Sequence, residues 1–494
     1  MNEETWKEKY YQLQNRYESL EERYILLNEK YLLVCHRHWA KKSEILPPEQ
    51  YGFFDEAESE KLKTNEVEEI AESDSSKEVG AKNRGKRAPL PAYLPREEII
   101  HDIEDKQCPH DGSKLKKIGE EISERLKIIP AKIIVEKHIR PKYACSECYS
   151  IVTNNLEKRL IPKSNATASL LSYIATSKYV DAVPLYRQVE MFERSEMRFS
   201  TSTLARWMVI AGEKVEPLIT LLREELLKSK YIHMDETPVQ VLNEENKRAE
   251  TKSYMWVQAI EHPYPIILFH YAKNRSGNNV EELLDDFKGA IHIDGYTGYD
   301  RAIKKNELMR LGCWAHARRK FFEASKTNAG SSLGKHALLV IKKLYKIESA
   351  IKGMNFDDRF KIRQNDSMKI LSDFKMWLDE TKGKITPKSS IGEAVSYALN
   401  EWEYLRNCFS SGEYEIDNNF IERHIRPFAI GRKNWMFSVS PEGAVASANL
   451  YSLVETAKAN NLNPYEYLEN VFTKLPSAES EKDFLNLLPI KVEN

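Results

Sequence analysis

Tyr231-Ile-His-Met-Asp235, Tyr254-Met-Trp-Val-Gln-Ala-Ile260, Pro265-Ile-Ile-Leu-Phe-His-Tyr271 and Ala290-Ile-His-Ile-Asp294 decide the fold class of this chain. Each is a short apolar run of strand length, rich in β-branched and aromatic residues. Asn278-Asn-Val-Glu-Glu-Leu-Leu-Asp-Asp-Phe287, between the third and fourth runs, reads as a short capped helix. Three strands, a helix and a returning strand predict an α/β sheet with a ligand edge at the strand ends. Around this segment the period is helical. Leu170, Leu171, Ile174, Leu185, Val189, Leu204, Trp207, Met208 and Leu218 carry it from about 165 to 230, and it returns from about 317 to 405.

Asp235 and Asp294 close two of these strands. Pro238 is expected to stop regular pairing after Asp235, and Gly295 to let backbone and ligand approach closely. Carboxylates at the ends of adjacent strands can converge on one divalent cation, and Mg²⁺ prefers such hard oxygen ligands. Far downstream, Asp417-Asn-Asn419 reads as a helix N-terminus with Glu422 one turn in, followed by the cationic and aromatic Gly431-Arg-Lys-Asn-Trp435. An acid beside cations suits a site where metal holds phosphate and Arg or Lys holds the DNA strand. Spacing alone leaves other readings open. A strand-end Asp also caps turns, and Glu422 with Arg426 at i,i+4 also reads as a surface ion pair.

The chain has 494 residues, which suggests roughly three domains. Lys and Arg number 74 against 75 Asp and Glu, so a histone-like polycation is excluded while local basic patches are not. No apolar run approaches the ~18 residues of a membrane helix, and the start is charged rather than signal-like. Six cysteines are too sparse for a disulfide scaffold, so the expected location is the cytoplasm.

The N-terminal region, 1–42, reads as a coiled coil. Tyr10, Tyr17, Tyr24 and Tyr31 recur every seven residues, and Trp6, Leu13, Leu20, Leu27 and Val34 fill the interleaved register. Self-association through this seam is expected, against the alternative of one amphipathic helix packed on its own chain. Residues 43–105 read as a linker: Pro47-Pro48 ends the helix, and 55–80 carry ten acids against three lysines. The sign then reverses at Lys82, Arg84, Lys86 and Arg87, a basic arm that can lie along phosphates or simply be solvated.

Within 106–155, Cys145-Ser-Glu-Cys148 offers a good metal bite, and Cys108-Pro-His-Asp111 is the candidate other half. Zn²⁺ held by Cys108, Asp111, Cys145 and Cys148, with His110 as a substitute ligand, competes with a metal-free β-hairpin module. In 160–228, Pro184–Phe192 followed by Thr201–Met208 resembles a helix–turn–helix. Ser200, Thr201 or Ser202 is the expected cap, and Arg206 is directed to a groove. Generic helix packing is the competing reading. Cys313-Trp-Ala-His316 has C-x-x-H spacing but lacks two further ligands for zinc nearby, and Arg318-Arg-Lys320 beside it suits phosphate.

Several motifs together carry a specific resemblance: Asp235-Glu-Thr-Pro-Val239, Asp294-Gly-Tyr-Thr-Gly-Tyr299, Cys313-Trp-Ala-His-Ala-Arg-Arg-Lys-Phe321, Ile416-Asp-Asn-Asn419, Glu422-Arg423, Ile430-Gly-Arg-Lys-Asn-Trp435, Ser452-Leu-Val-Glu-Thr-Ala-Lys458 and Asn463-Pro-Tyr-Glu-Tyr-Leu468. In this order they resemble the DDE transposases of the insertion sequence 66 family, over roughly 90 to 470.

The resemblance implies a multidomain α/β protein whose RNase H-like catalytic core, 229–437, holds a helical insertion at about 325–405. A coiled coil, a zinc-finger-like module and a helix-turn-helix-like region precede this core, and a helical tail, 438–494, follows it. It implies Asp235, Asp294 and Glu422 as the catalytic, metal-binding triad, with Cys313 and His316 supporting. Where the family commonly has cysteine this chain has Asp111, so a four-cysteine site is absent. The chemistry implied is that of two Mg²⁺ ions (or Mn²⁺) about 3.5–4 Å apart at a scissile phosphate. Asp235 is the expected bridging ligand; water cuts first, and the freed 3′-OH then attacks target DNA. Double-stranded DNA, both transposon ends and target, is the expected partner, contacted by Arg84, Lys86, Arg87, Arg206, Arg318, Arg319, Arg426, Arg432, Lys433 and Trp435. Small accessory proteins of the same element are further expected partners. A non-catalytic DNA-binding derivative and a nuclease that cuts without joining are the competing classes.

Overall fold

The computed structural model describes residues 14, 16, 20, 23, 24 and 27, then 133–144, 151–155 and 157–490 except 249, 286 and 328–330. Two compact units are distinguished, 60–154 on one hand and 1–59 with 155–494 on the other. Of the heptad positions, Leu20, Tyr24 and Leu27 are helical and exposed at 63%, 68% and 68%; the rest of that seam lies outside the described residues. So do the acidic linker and the basic arm with Arg84, Lys86 and Arg87.

In the smaller unit the described elements are β1 (Lys142–Ala144) and β2 (Ile151–Thr153), an antiparallel hairpin with Tyr143 opposite Val152. Cys108, Asp111, Cys145 and Cys148 lie outside the described residues.

The larger unit opens with four helices, α1 (Ala168–Tyr179), α2 (Leu185–Glu193), α3 (Thr201–Lys214) and α4 (Glu216–Leu227). Ser200 caps α3 by accepting the Thr203 N–H at 3.1 Å, which satisfies one orphan donor of the first turn. Three long strands follow, β3 (Tyr231–Gln240), β4 (Lys252–Ile260) and β5 (Ile266–Ala272). After α5 (Gly277–Leu284) come β6 (Ala290–His292), α6 (Asp300–Asn306) and β7 (Met309–Leu311). The sheet order is β5-β4-β3-β6-β7, with β3 antiparallel to β4, β4 antiparallel to β5, and β6 parallel to both β3 and β7.

Pro238 does not end β3, contrary to the sequence expectation: the strand runs on to Gln240, with Pro238 opposite Tyr254. The Pro238 carbonyl accepts from Arg432 and the Gln240 carbonyl from Ser438 N–H, so these positions turn their polar edge away from β4. The N–H that proline lacks is therefore no member of the β3–β4 ladder.

The chain from β7 to the next long helix is helical: α7 (Trp314–Ser325), α8 (Ser331–Ile351), α9 (Phe356–Ile362), a π-turn (Arg363–Ser367), α10 (Met368–Lys382), α11 (Ser390–Asn400) and α12 (Trp402–Asn407). Its apolar faces meet in a core of their own around Trp314, Phe321, Phe374 and Leu405, onto which Tyr231, Ala290 and Leu311 of the sheet also pack. The opposite sheet face, with Ile232, Met234, Ile291 and Ile293, belongs to the main core shared with α1–α4 and the C-terminal helices. This split follows from the two-residue period of a strand.

Those last helices are α13 (Asn419–Trp435), α14 (Pro441–Ala459), α15 (Pro464–Lys474) and α16 (Glu481–Leu485). Helix α14 covers the edge of β5: Ser452 accepts the Phe269 N–H at 2.8 Å and Thr456 the Ile267 N–H at 3.0 Å. Edge donors that would otherwise invite another strand are thus paired. Close passage of α14 over α3 depends on Gly212, where a Cβ would stand 2.5 Å from Ala446 Cα. No helix among the described residues is long and apolar enough to cross a membrane.

Candidate active site

Strands β3 and β6 pair in parallel with His233 level with His292. Asp235 lies two residues further along β3, and Asp294 two residues past the end of β6, close enough for its charge to act on Asp235. The rings of His233 and His292 stack at 5.4 Å with 15° between planes, forming the floor below the two acids. Burial lowers the His233 pKa to about 4 and holds His292 well below its ordinary value, so both are neutral at pH 7.

Both aspartates are half-buried. Loss of solvation, then the charge of Glu236, with smaller contributions from Asp294 and Glu422, raises the Asp235 pKa to about 8. The Glu236 N–H donates to Asp235 Oδ1 at 2.8 Å and opposes that rise. Glu236 turns to the other side of the strand, where it accepts from Tyr299 Oη at 2.8 Å and pairs with Arg275. Asp294 Oδ1 accepts the Tyr296 N–H at 3.0 Å. The two tyrosines of the Asp294–Tyr299 stretch therefore serve one acid each. Toward the protein's own side chains, a Cβ on Gly295 would meet Tyr397 and Glu401 at ordinary contact distances of 3.6–3.8 Å. At Gly298 a Cβ would collide with the Tyr296 ring at 2.1 Å.

The third acid arrives on α13. Asp417 Oδ1 accepts the Asn419 N–H at 3.1 Å, and Tyr345 Oη holds its other oxygen at 2.8 Å. Asn418 donates its side-chain amide to the Met234 carbonyl at 3.0 Å, which leaves Oδ1 to accept from His233 Nδ1 at 2.7 Å. That pair of bonds fixes both the amide orientation and the imidazole tautomer. The first turn of α13 is thereby clipped to the strand that carries Asp235, and Glu422, in that turn, adds its charge to the Asp235 environment. An acid in the first turn also complements the helix dipole. Asp294 and Glu422 both lie within electrostatic range of Asp235. A different group of metal-ligating atoms lies together among the described residues: Cys313, His316 and Glu422, all within 4.8 Å of one another. Cys313 is buried, its thiol pushed far up by burial, and its sulfur accepts the Asn418 N–H at 3.3 Å.

The expected DNA-contacting cations separate into two groups. Arg206 and Lys433 are exposed, and Arg319 is exposed with its guanidinium 3.9 Å from Glu422. Arg426 is also exposed. Arg318 is half-buried and lies over the Tyr345 ring at 5.5 Å. Arg432 is turned inward, donating to Thr237 Oγ1 at 3.0 Å and to the Pro238 carbonyl. Trp435 is half-buried and packs edge-on against Phe428 at 5.5 Å. Of these two, Arg432 ties α13 to β3, while Trp435 packs within its own helix.

Comparison with known proteins decides the family. A family model described as "Transposase IS66 family" matches residues 163–446, more than half of the chain. The chain belongs to the IS66 transposase family. Within this IS66 transposase, three further models match: "zinc-finger binding domain of transposase IS66" at 105–149, "IS66 C-terminal element" at 452–490, and "Transposase C of IS166 homeodomain" at 26–99. Similar chains occur in Sinorhizobium fredii. "Uncharacterized protein y4qI" is 32% identical over 438 residues, covering 85% of this chain and 81% of that one. "Uncharacterized protein y4jD" is 31% identical over 412 residues, covering 81% and 80%. The family implies DNA as partner and use of a divalent metal, and the zinc-finger match extends the expectation to zinc.

Several residues around these acids were not singled out by sequence reading. His233 and Asn418 form the clip. Arg310, buried, joins the Asp294 carbonyl at 3.1 Å to Glu401 of the helical segment at 2.6 Å. The signal for Asn418 was present in the Asp417-Asn-Asn419 run. For Arg310 and Glu401, 91 positions apart, the sequence contains none.

Proposed function

We propose that this IS66 transposase binds transposon ends and catalyses metal-dependent DNA strand cleavage and strand transfer at Asp235, Asp294 and Glu422. The observation that carries the reading is that β3, which carries Asp235, pairs in parallel with β6, which leads two residues on to Asp294, while a clipped helix brings Glu422 into range of Asp235. The sheet order β5-β4-β3-β6-β7, with β4 alone reversed, supports the RNase H-like core that the family resemblance implies.

The residues suit Mg²⁺ or Mn²⁺. Asp294 and Glu422 act electrostatically on Asp235, whose pKa is raised by loss of solvation first and by acidic neighbours second, and Glu422 Oε1 is enclosed without a hydrogen-bond partner. When bound, the metal supplies Lewis-acid polarisation of the scissile phosphate and a nucleophile at neutral pH. Asp235, Asp294 and Glu422 hold it; Asn418 and His233 keep the helix acid at the strand acids. Exposed Arg319 and Lys320, one helical turn from His316, attract the phosphate backbone. Water is the first nucleophile, freeing a 3′-OH that attacks target DNA in the same site by in-line displacement, with no covalent protein intermediate. The zinc-finger-like module, the basic arm and the α2–α3 pair recognise ends, and the N-terminal seam joins copies of the chain.

Incubating the protein with Mg²⁺, labelled ends and a target plasmid tests this. Joined products are expected, and Glu422→Gln abolishes them while end binding persists. Cuts without joining identify a nuclease; binding alone identifies a non-catalytic derivative. Undiminished cleavage by Glu422→Gln removes Glu422 from the triad.

A further inference from the structure

Cys313 is the N-cap of α7 and His316 lies in its first turn, while Glu422 comes from the first turn of α13. One ligand atom from each stands within 4.8 Å of the other two. Two polar atoms of this cluster are enclosed with no hydrogen-bond partner, His316 Nδ1 and Glu422 Oε1. Buried polar atoms are almost always paired, so two orphans in one cluster ask for a common partner. The third side chain, Cys313, is 1% exposed and has a backbone N–H aimed at its sulfur.

We propose that Cys313, His316 and Glu422 form a Zn²⁺ site, separate from the oxygen-only position at Asp235 and Asp294 and sharing Glu422 with it. Sulfur, imidazole and carboxylate make a three-ligand set for tetrahedral zinc with one position open. The thiolate discriminates against Mg²⁺, which selects oxygen ligands. Ligand atoms on one tetrahedral zinc sit roughly 3.3–3.8 Å apart, so a contraction of about 1 Å closes the set. Bound there, the ion staples the start of α7 to the first turn of α13. From the C-x-x-H spacing alone only half of this site is visible. The fold delivers the carboxylate from 106 positions beyond His316.

The inference goes beyond the strand-transfer reading and requires no DNA chemistry. Its test uses the full chain carrying Cys148→Ser, which weakens the upstream cysteine module. Zinc is measured by elemental analysis, and Co²⁺ is exchanged in to read the sulfur-to-cobalt charge-transfer band in the near ultraviolet. About one equivalent of zinc and the cobalt band are expected to be lost on adding Cys313→Ala, and zinc affinity to fall at least tenfold with His316→Gln. His316 is partly exposed, so the second variant keeps the test decisive if the first fails to fold. Unchanged zinc affinity and an unchanged cobalt band in the His316→Gln protein would overturn the site. Loss of cleavage in a DNA assay leaves this result standing, and absence of zinc leaves the Mg²⁺ reading standing.

Discussion

His233 Nδ1 stands 2.7 Å from Asn418 Oδ1, joining the strand of Asp235 to the helix of Glu422 across 185 positions of sequence. Because Asn418 also donates to Met234 O, one side chain spans two successive residues of β3. Asn418→Ala leaves a buried imidazole N–H and a buried carbonyl unpaired, at a cost of about 1–3 kcal/mol each. Urea denaturation should show that loss, and kcat for end cleavage should fall at least tenfold while end affinity is retained. Full kcat in the alanine variant would refute the positioning role.

The raised Asp235 pKa has a definite sign. A carboxyl favoured in its neutral form adds stability that is full below the unfolded value of 3.8 and lost as pH rises through about 8. Metal-free protein should therefore melt lower as pH climbs through that window, and Asp235→Asn should flatten the slope. Mg²⁺ binding at pH 7 should release protons, because the metal takes the ionised carboxylate. Calorimetry in buffers of different ionisation enthalpy measures that release; a value of zero counts against the assignment.

Arg432 and Lys433 are neighbours with opposite fates. Arg432→Ala removes the tie between α13 and β3 and is expected to cost about 1.5–3 kcal/mol of stability, the range for hydrogen bonds from a charged donor. Lys433→Ala is expected to leave melting unchanged and to lower the salt slope of DNA affinity by about one. Melting curves and binding at two ionic strengths separate the two; equal melting of both variants would contradict the tying role of Arg432.

The Arg310–Glu401 pair anchors the helical segment to the site, with the two side chains 8% and 14% exposed. Glu401→Ala strands a buried guanidinium and should cost about 3–5 kcal/mol. A loss below about 1 kcal/mol would mean that the pair is solvated in solution.

Four strands were legible because each is an apolar run with turn signals around it. Strand β7 was not: Met309–Leu311 is three residues long, has a charge at its centre, and forms only beside β6. Pro238 misled for a related reason. A proline forbids a strand only where its missing N–H belongs to the ladder, and which side of β3 each carbonyl faces is decided by register. Asp235, Asp294 and Glu422 were found as types in motifs, while their mutual placement was not readable.

What the amino-acid order determined by itself is local. Period, capping residues and chemical type mark the strands, the Ser200 cap, the acids and the Cys313-Trp-Ala-His316 turn, since each depends on neighbours a few positions away. Tertiary structure alone decided which distant groups meet: Asn418 with His233, Arg310 with Glu401, Glu422 with Cys313 and His316, and Arg432 with Pro238. Those meetings depend on sheet register and on packing around two cores, quantities that belong to the whole chain and leave no trace in local spacing.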